Sequence, residues 1–509
     1  MALPLTVDNT FPALYRGSGE AVTPGLSSAL IRAGLVLTLL AAPLAFGAVQ
    51  AWAWASLAVV ASLLLIAWAI ANMRHGSFKI MWSPLYLPAG LFFLLVVIQF
   101  ACHLTMDSIA TRESLVKLAT DLIFFFLAGQ ILRAPVSGYS AGKTGTRGDA
   151  QRPAKADGDF TSIVALRWIL VAYTFFLSLF AIFQFFSSQG LIYWTVKTQG
   201  WTFGPYVNHN HYAGLMEMLI PLSVASVLPA FGRHPSAALL GVAILLPIAS
   251  VLLSGSRGGV ISLSVECLLA ALLVLFFGPR RARPATALVA GVAVVAAALL
   301  FFWMAPRDIA ERITRTAGNP HQTELDLSGR MEAARNTLGI FRAHPWLGVG
   351  LGSFEIAFPA HETFASDLRW DHAHNDYAEA LAETGLAGAA IILFALGLFF
   401  HIVFKEVISR QWSVVRPTSG SLAPSTSDSE LRIPDMPSRL PSPESRVPGP
   451  VLSGTWHLTP NTYLRLGATL GCCGILAHSL SDFNLHIPAN AAWFAVCVTV
   501  ATSLPPDFV

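Results

Sequence analysis

Apolar runs near the length of a bilayer crossing recur along this chain. A hydrocarbon core takes about 20 apolar residues of helix. Runs of that order lie at 33–49, 53–71, 85–103, 116–132, 164–186, 211–228, 237–253, 260–277, 285–304, 386–404, 463–480 and 488–504. The pattern predicts an all-α polytopic membrane protein with about 12 transmembrane helices. Two intervals between runs are polar: 135–159 is rich in Gly, Ser, Lys and Arg, and 417–450 in Pro and Ser. Neither buries enough apolar surface to offset its chain entropy, so both are expected to be disordered. A third interval, 305–384, has a helical stretch over 328–344 and then a turn carrying Gly348, Gly350 and Gly352. The expected organisation is N-terminal membrane helices (1–132), a disordered loop (133–163), central membrane helices (164–304), one long structured loop (305–384), a membrane helix (385–404), a second disordered loop (405–460) and C-terminal membrane helices (461–509).

Composition agrees with this pattern. The 509 residues are 54% hydrophobic and 12% charged, with a mean hydropathy of +0.60. Soluble domains carry about 25% charged residues, so most of this surface must face lipid. A net charge of +3 without a basic tail excludes nucleic acid as the expected partner. Cys102, Cys267, Cys472, Cys473 and Cys497 all fall in apolar segments. They show neither metal-ligand spacing nor a disulfide framework. About 28 mixed residues precede the first apolar run, which is unlike a signal peptide, so that run is expected to be a retained helix. Lys and Arg gather after the second, fourth, sixth, eighth and tenth runs (Arg74, Lys79, Arg133, Arg233, Arg280, Arg281, Lys405 among them). All these gaps lie on one side, which the orientation rule makes cytoplasmic, together with both termini.

The opposite face carries the chemistry-bearing residues. Arg257 sits in Ser254-Gly255-Ser256-Arg257-Gly258-Gly259, at the outer ends of two membrane helices. An arginine fork suits phosphate oxygens, and small neighbours admit a ligand or a backbone; the plainer reading is an arginine snorkelling at a helix end. His372 and His374 lie in Asp371-His372-Ala373-His374-Asn375-Asp376-Tyr377. Histidine is suited to general-base work near neutral pH, and the plainer reading is a hydrogen-bonded cap on the next helix. Spacing of i, i+2 does not put two histidines on one helix face, and with no second ligand cluster in the sequence no metal is expected. Trp201-Thr202-Phe203-Gly204 through Asn208-His209-Asn210-His211-Tyr212 places polar groups at a helix start, where anions are favoured. Tyr193, Trp194, Trp201, Phe203 and Tyr206 in the same outer loop read either as headgroup-level aromatics or as the lining of a groove. Glu217, about two turns into the following helix, is expected to be buried and paired, or neutral. Arg330 and Arg335 add positive charge in the long loop. Asp482, in the last outer turn, is placed to pair with an arginine or orient a histidine. Arginines, histidines and carboxamides at one outer surface, with no nucleotide loop, suit a phosphate-bearing lipid substrate.

Those residues carry a resemblance. From Trp201 to Trp493 the chain resembles the O-antigen ligase and O-antigen polymerase superfamily of bacterial envelope enzymes. The shared segments are Asn-His-Asn-His-Tyr-Ala-Gly, Ser-Gly-Ser-Arg-Gly-Gly, Arg330 with His344-Pro345-Trp346-Leu347-Gly348-Val349-Gly350, His372 to Tyr377, and Asp482-Phe483-Asn484 to Asn490. The ligase signature of His, then Asn, Ser or Gln, nine residues, Gly, two residues, Gly is met by His374, Asn375, Gly385 and Gly388. The resemblance implies a GT-C-like glycosyltransferase of the bacterial inner membrane whose long loop is periplasmic. Its implied donor is a glycan on undecaprenyl pyrophosphate; its implied acceptor is lipid A core, a glycan repeat or a protein hydroxyl. No cofactor and no metal are implied. His374 would be the general base and Arg257 the pyrophosphate ligand, with Arg330 or Arg335 assisting. Arg330, Arg335, His372, Asn375, His209, Asn210, His211 and Asp482 form the expected substrate-binding set. Relatives often have Arg where this chain has His209. The competing readings are a transporter of a lipid-linked sugar or small anion, which would want polar or broken helices at mid-membrane, and a membrane scaffold.

Overall fold

The structure, a computed structural model, describes residues 6–7, 26–74, 79–132, 157–198, 200–228, 237–277, 327–363, 369–414 and 460–503, with single positions at 284, 287 and 291. The described residues are overwhelmingly helical. In chain order the main helices are α1 Leu26–Leu44, α2 Ala51–Arg74, α3 Tyr86–Ala101, α4 Ser108–Ile131, α5 Asp157–Ser187, α6 His209–Val227, α7 Ala237–Ser254, α8 Arg257–Phe277, α9 Leu327–Ala343, α10 Asp376–Val414, α11 Pro460–His478 and α12 Pro488–Ser503. The expected span at 285–304 falls almost wholly outside the described residues, as do most of the two polar loops and residues 305–326 of the long one.

Among the described residues, five helices are long and apolar enough to cross a membrane: Ala51–Arg74, Ser108–Ile131, Ala165–Ser187, Arg257–Phe276 and Asp376–Lys405. Ala29–Leu44, Tyr86–Ala101 and Leu239–Ser254 are shorter apolar helices. The expectation of twelve is thus met only in its coarser form, a multi-pass helical protein. The shortfall has a physical cause in α6 and α11, which bury His209, Asn210, His211 and Glu217, and Asn461, Arg465 and His478 respectively. Those polar side chains interrupt the apolar stretch of each helix.

α6 is the axis of the molecule. Apart from Val224 and Ser226, every residue from His209 to Val227 is buried. Its most extensive partner is α11, and the reason lies in small residues. A Cβ at Gly467 would come within 2.5 Å of the Pro221 carbonyl, and one at Gly471 within 2.9 Å of Met218 Cα. This i, i+4 glycine pair lets two backbones pack in contact, as helices in lipid do where no hydrophobic drive separates protein from solvent. The aromatic loop before α6 divides. Trp194 and Trp201 are exposed, whereas Phe203 and Tyr206 are core residues, and Tyr206 Oη donates to Asn490 Oδ1 at 2.8 Å. Neither sequence reading of that loop anticipated a core role.

The long loop builds a second, smaller core from Ala333, Ile340, Val349, Phe354, Ala357, Phe358, Trp370, Ala373 and Ala382. Helix α9 matches the stretch expected at 328–344. Gly348, Gly350 and Gly352 have φ of 68°, 100° and 81°, the left-handed region that glycine enters without steric cost. Gln99 of α3 pins this turn: its Nε2 donates to Leu347 O (2.6 Å) and Glu383 O (2.9 Å). α10 starts at Asp376, ten residues before the expected span at 386. Gly385, at φ 62° and ψ −161°, breaks it into a short leading segment and the apolar continuation.

Candidate functional site

The starts of α6, α8 and α10, the end of α11 and the turn 479–487 meet at one end of the bundle. Hydrogen bonds zip the loop before α10 to that turn. Asp376 N–H donates to Ser479 O (2.9 Å), Asn375 Nδ2 to Leu480 O (2.9 Å) and Tyr377 Oη to Leu476 O (2.7 Å). Asn375 Oδ1 accepts the Ala378 N–H at 2.9 Å, capping α10.

Asp482 is the centre of the cluster, with no exposed surface. Its Oδ1 lies 3.3 Å from His374 Nδ1 and 3.9 Å from His211 Nε2. Its Oδ2 lies 3.5 Å from Arg330 Nη1, which also donates to Ser481 O at 3.2 Å. Burial alone would raise this carboxyl. The hydrogen bond to His374 and the charge of Arg330 outweigh it and hold Asp482 well below the ordinary carboxylate range. The Phe483 ring is enclosed by three imidazoles, stacked on His372 at 4.2 Å and met edge-on by His211 (4.7 Å) and His374 (5.0 Å). His374 has φ 50°. A left-handed non-glycine residue is uncommon, and the surrounding contacts must hold it there. With Nδ1 committed to Asp482, Nε2 is the nitrogen left for a substrate proton.

A second network lies beside the first. His372 Nδ1 is 2.7 Å from Glu379 Oε1, while Glu379 Oε2 accepts the Ala373 N–H at 2.8 Å. His486 Nδ1 is 2.7 Å from Asp376 Oδ1 and its Nε2 is 3.4 Å from Glu379 Oε1. Burial opposes charge on His486, but Glu379 and Asp376 raise its imidazole to about 10. One atom each of His372, Glu379 and His486 lie within 4.8 Å of one another, so these are the described residues best placed to hold a metal ion. The two contacts at 2.7 Å are hydrogen-bond lengths. The set therefore works as a staple between α10 and the 479–487 turn.

Arg257 is the first residue of α8 and half-buried. Ser256 caps that helix, its Oγ accepting the Gly259 N–H at 3.0 Å. Trp201 approaches the same corner, since a Cβ at Gly255 would stand 3.4 Å from its ring. The Trp201 carbonyl accepts the His209 N–H (3.0 Å) and lies 3.2 Å from His209 Nδ1.

Of the residues singled out in the sequence, His211, Arg330, His372, His374, Asn375 and Asp482 come together. His209 lies at the Trp201 corner, and Asn210 is buried in the first turn of α6. Arg335 is exposed: five positions along a helix turn it about 140° away from Arg330. Sequence reasoning missed His478, His486, Glu379 and Phe483. His478 sits inside the apolar run 463–480 and would have been noticed only as a costly polar residue in a membrane helix, whereas Glu379 lies in the long loop, seven residues before the expected span at 386.

The model of a family described as O-antigen ligase matches residues 242–393. The match covers α8, Arg257, α9 and the His372–Tyr377 loop, so over that part the chain is similar to the O-antigen ligase family. No curated protein matches the chain.

Proposed function

We propose, from the match of residues 242–393 to the O-antigen ligase family model, that the protein is a glycosyltransferase moving a glycan from undecaprenyl pyrophosphate to an acceptor hydroxyl, at the periplasmic face of the bacterial inner membrane. The observation that carries this reading is the His374–Asp482 pair, set beside Arg330 at the end of the bundle where α8 begins with Arg257. In this reading the long loop 305–384 is the catalytic loop.

The acceptor O–H gives its proton to His374 Nε2 as its oxygen attacks the anomeric carbon. The bond from that carbon to the pyrophosphate oxygen breaks, and the carrier leaves with the electron pair. Asp482 orients the imidazole and balances the imidazolium that forms, the same division of labour as in a catalytic triad. Arg257, with Arg330 in support, offsets the charge growing on the leaving group. Fixed arginines do this without a metal, so none is needed for transfer. The acceptor is a lipid A core sugar, another repeat unit or a protein hydroxyl. A transporter would place polar groups and broken helices at mid-membrane, whereas these arginines and histidines gather at one end of the helices.

The test is glycan profiling of cells lacking the gene, complemented with wild type or His374→Ala. Accumulated lipid-linked glycan, loss of surface polysaccharide and rescue by wild type alone are expected. Long stalled chains mark a ligase and single repeats a polymerase. An unchanged profile, or full rescue by His374→Ala, would move the transporter to the front.

A further inference from the structure

The transfer scheme leaves one buried ionisable pair unused. Glu217 in α6 and His478 at the end of α11 are almost wholly buried, and Glu217 Oε1 lies 2.7 Å from His478 Nδ1. With Nδ1 engaged by Glu217, Nε2 is the nitrogen directed elsewhere. Its direction is fixed by Gly258: a Cβ there would overlap His478 Nε2 and Cδ2 and come within 3.1 Å of Ser481 Oγ. His478 therefore occupies the side-chain space of the second residue of α8, next to Arg257. No hydrogen bond is made by Nε2 among the described residues. Glu217 Oε2 is likewise buried without a hydrogen bond among them.

A pair of this kind in a membrane protein needs a reason, because burying two ionisable groups costs more than burying two apolar ones. A clamp between α6 and α11 is an insufficient reason, since the Gly467–Gly471 seam already joins these helices closely. The end of α8 supplies a better one. Ser256 Oγ takes the Gly259 N–H and Ser256 O the Val260 N–H, and a helix start of this kind favours an anion.

We propose that His478, held by Glu217, is an anion-binding residue that takes a pyrophosphate oxygen at the start of α8 together with Arg257. Glu217 is a positioning residue: it orients the ring and offsets the cost of an imidazolium shut off from water. The glycine at 258 admits the imidazole to the helix end. The inference rests on the reading of Arg257 as the pyrophosphate contact and extends it to a second cation on a different helix.

The experiment uses full-length protein in detergent, titrated calorimetrically with inorganic pyrophosphate and with sulfate as control. Wild type is expected to prefer pyrophosphate. His478→Gln and Glu217→Gln should each weaken pyrophosphate binding by about tenfold or more, the worth of a hydrogen bond to a charged group. The double variant should be no weaker than either single one, because both changes act through one imidazole. Glu217→Gln keeps the ring and a carboxamide acceptor for Nδ1, so it decides the matter if His478→Gln does not fold. Should the folded variants bind pyrophosphate as wild type does while Arg257→Lys does not, the dyad is a packing device and the Arg257 reading stands. If Arg257→Lys also binds normally, or wild type takes no pyrophosphate, both readings fail together.

Discussion

His374 Nδ1 and Asp482 Oδ1 stand 3.3 Å apart although 108 residues separate them in the chain. The aspartate is fully buried, and the histidine is held at φ 50°. We expect His374→Ala to lower the transfer rate by about 10²–10⁴-fold, the range of a lost general base. Asp482→Asn keeps the shape but removes the charge, and should lower kcat with little change in KM for the lipid-linked donor. Equal rates for Asp482→Asn and wild type would leave the carboxylate with a structural role only.

Arg257→Lys retains a positive charge but not the planar fork. A loss of about tenfold or more in kcat/KM for the donor is expected, because two-point contact with phosphate is lost. Arg335→Ala should have no measurable effect, since Arg335 is exposed and turned away from Arg330. Steady-state kinetics in one detergent would show both, and a large Arg335→Ala defect would redraw the site.

The two glycines of the His-Asn-x9-Gly-x2-Gly signature have packing duties. A Cβ at Gly385 would lie 2.5 Å from the Trp346 carbonyl carbon and 2.7 Å from the Gly348 nitrogen. One at Gly388 would overlap the Thr384 side chain. Gly385→Ala is expected to destabilise the fold by about 2 kcal/mol or more, from left-handed strain and the clash together. Thermal unfolding would measure this. An unchanged midpoint would mean that the glycine serves the reaction directly.

The His486 pairing makes stability depend on pH. Its imidazole is raised from an ordinary value near 6.5 to about 10 in the folded protein. A raised value contributes stability that is fully present below about 6.5 and is lost as pH climbs through about 10. His486→Gln should therefore flatten the fall in unfolding midpoint between those limits. An identical pH profile for wild type and His486→Gln would show that the staple with Asp376 and Glu379 does not hold a proton.

Prolonged dialysis against EDTA should leave both transfer activity and the unfolding midpoint unchanged, because hydrogen bonds join His372 to Glu379 and His486 to Asp376. Loss of either property, restored by one divalent cation, would make this trio a metal site.

The sequence by itself determined the helical membrane character, since apolar length and charge poverty suffice to commit a segment to lipid. It also singled out the short segments where arginine, histidine and aspartate gather, because such residues are costly to keep near a bilayer. It named Gly385 only as part of a signature, and did not foresee the break there or the two and a half helical turns that precede it from Asp376. Only the tertiary structure decided which of the 14 histidines meet which acids. His374 pairs with Asp482, His372 and His486 share Glu379, and His478 reaches Glu217 across 261 residues. It alone separated Arg330, turned inward, from Arg335, turned to the surface, and put Phe203 and Tyr206 in the core. Local pattern reports which face of a helix is apolar. Which polar groups converge depends on how helices distant in sequence pack, and here that rests on the close seam between α6 and α11.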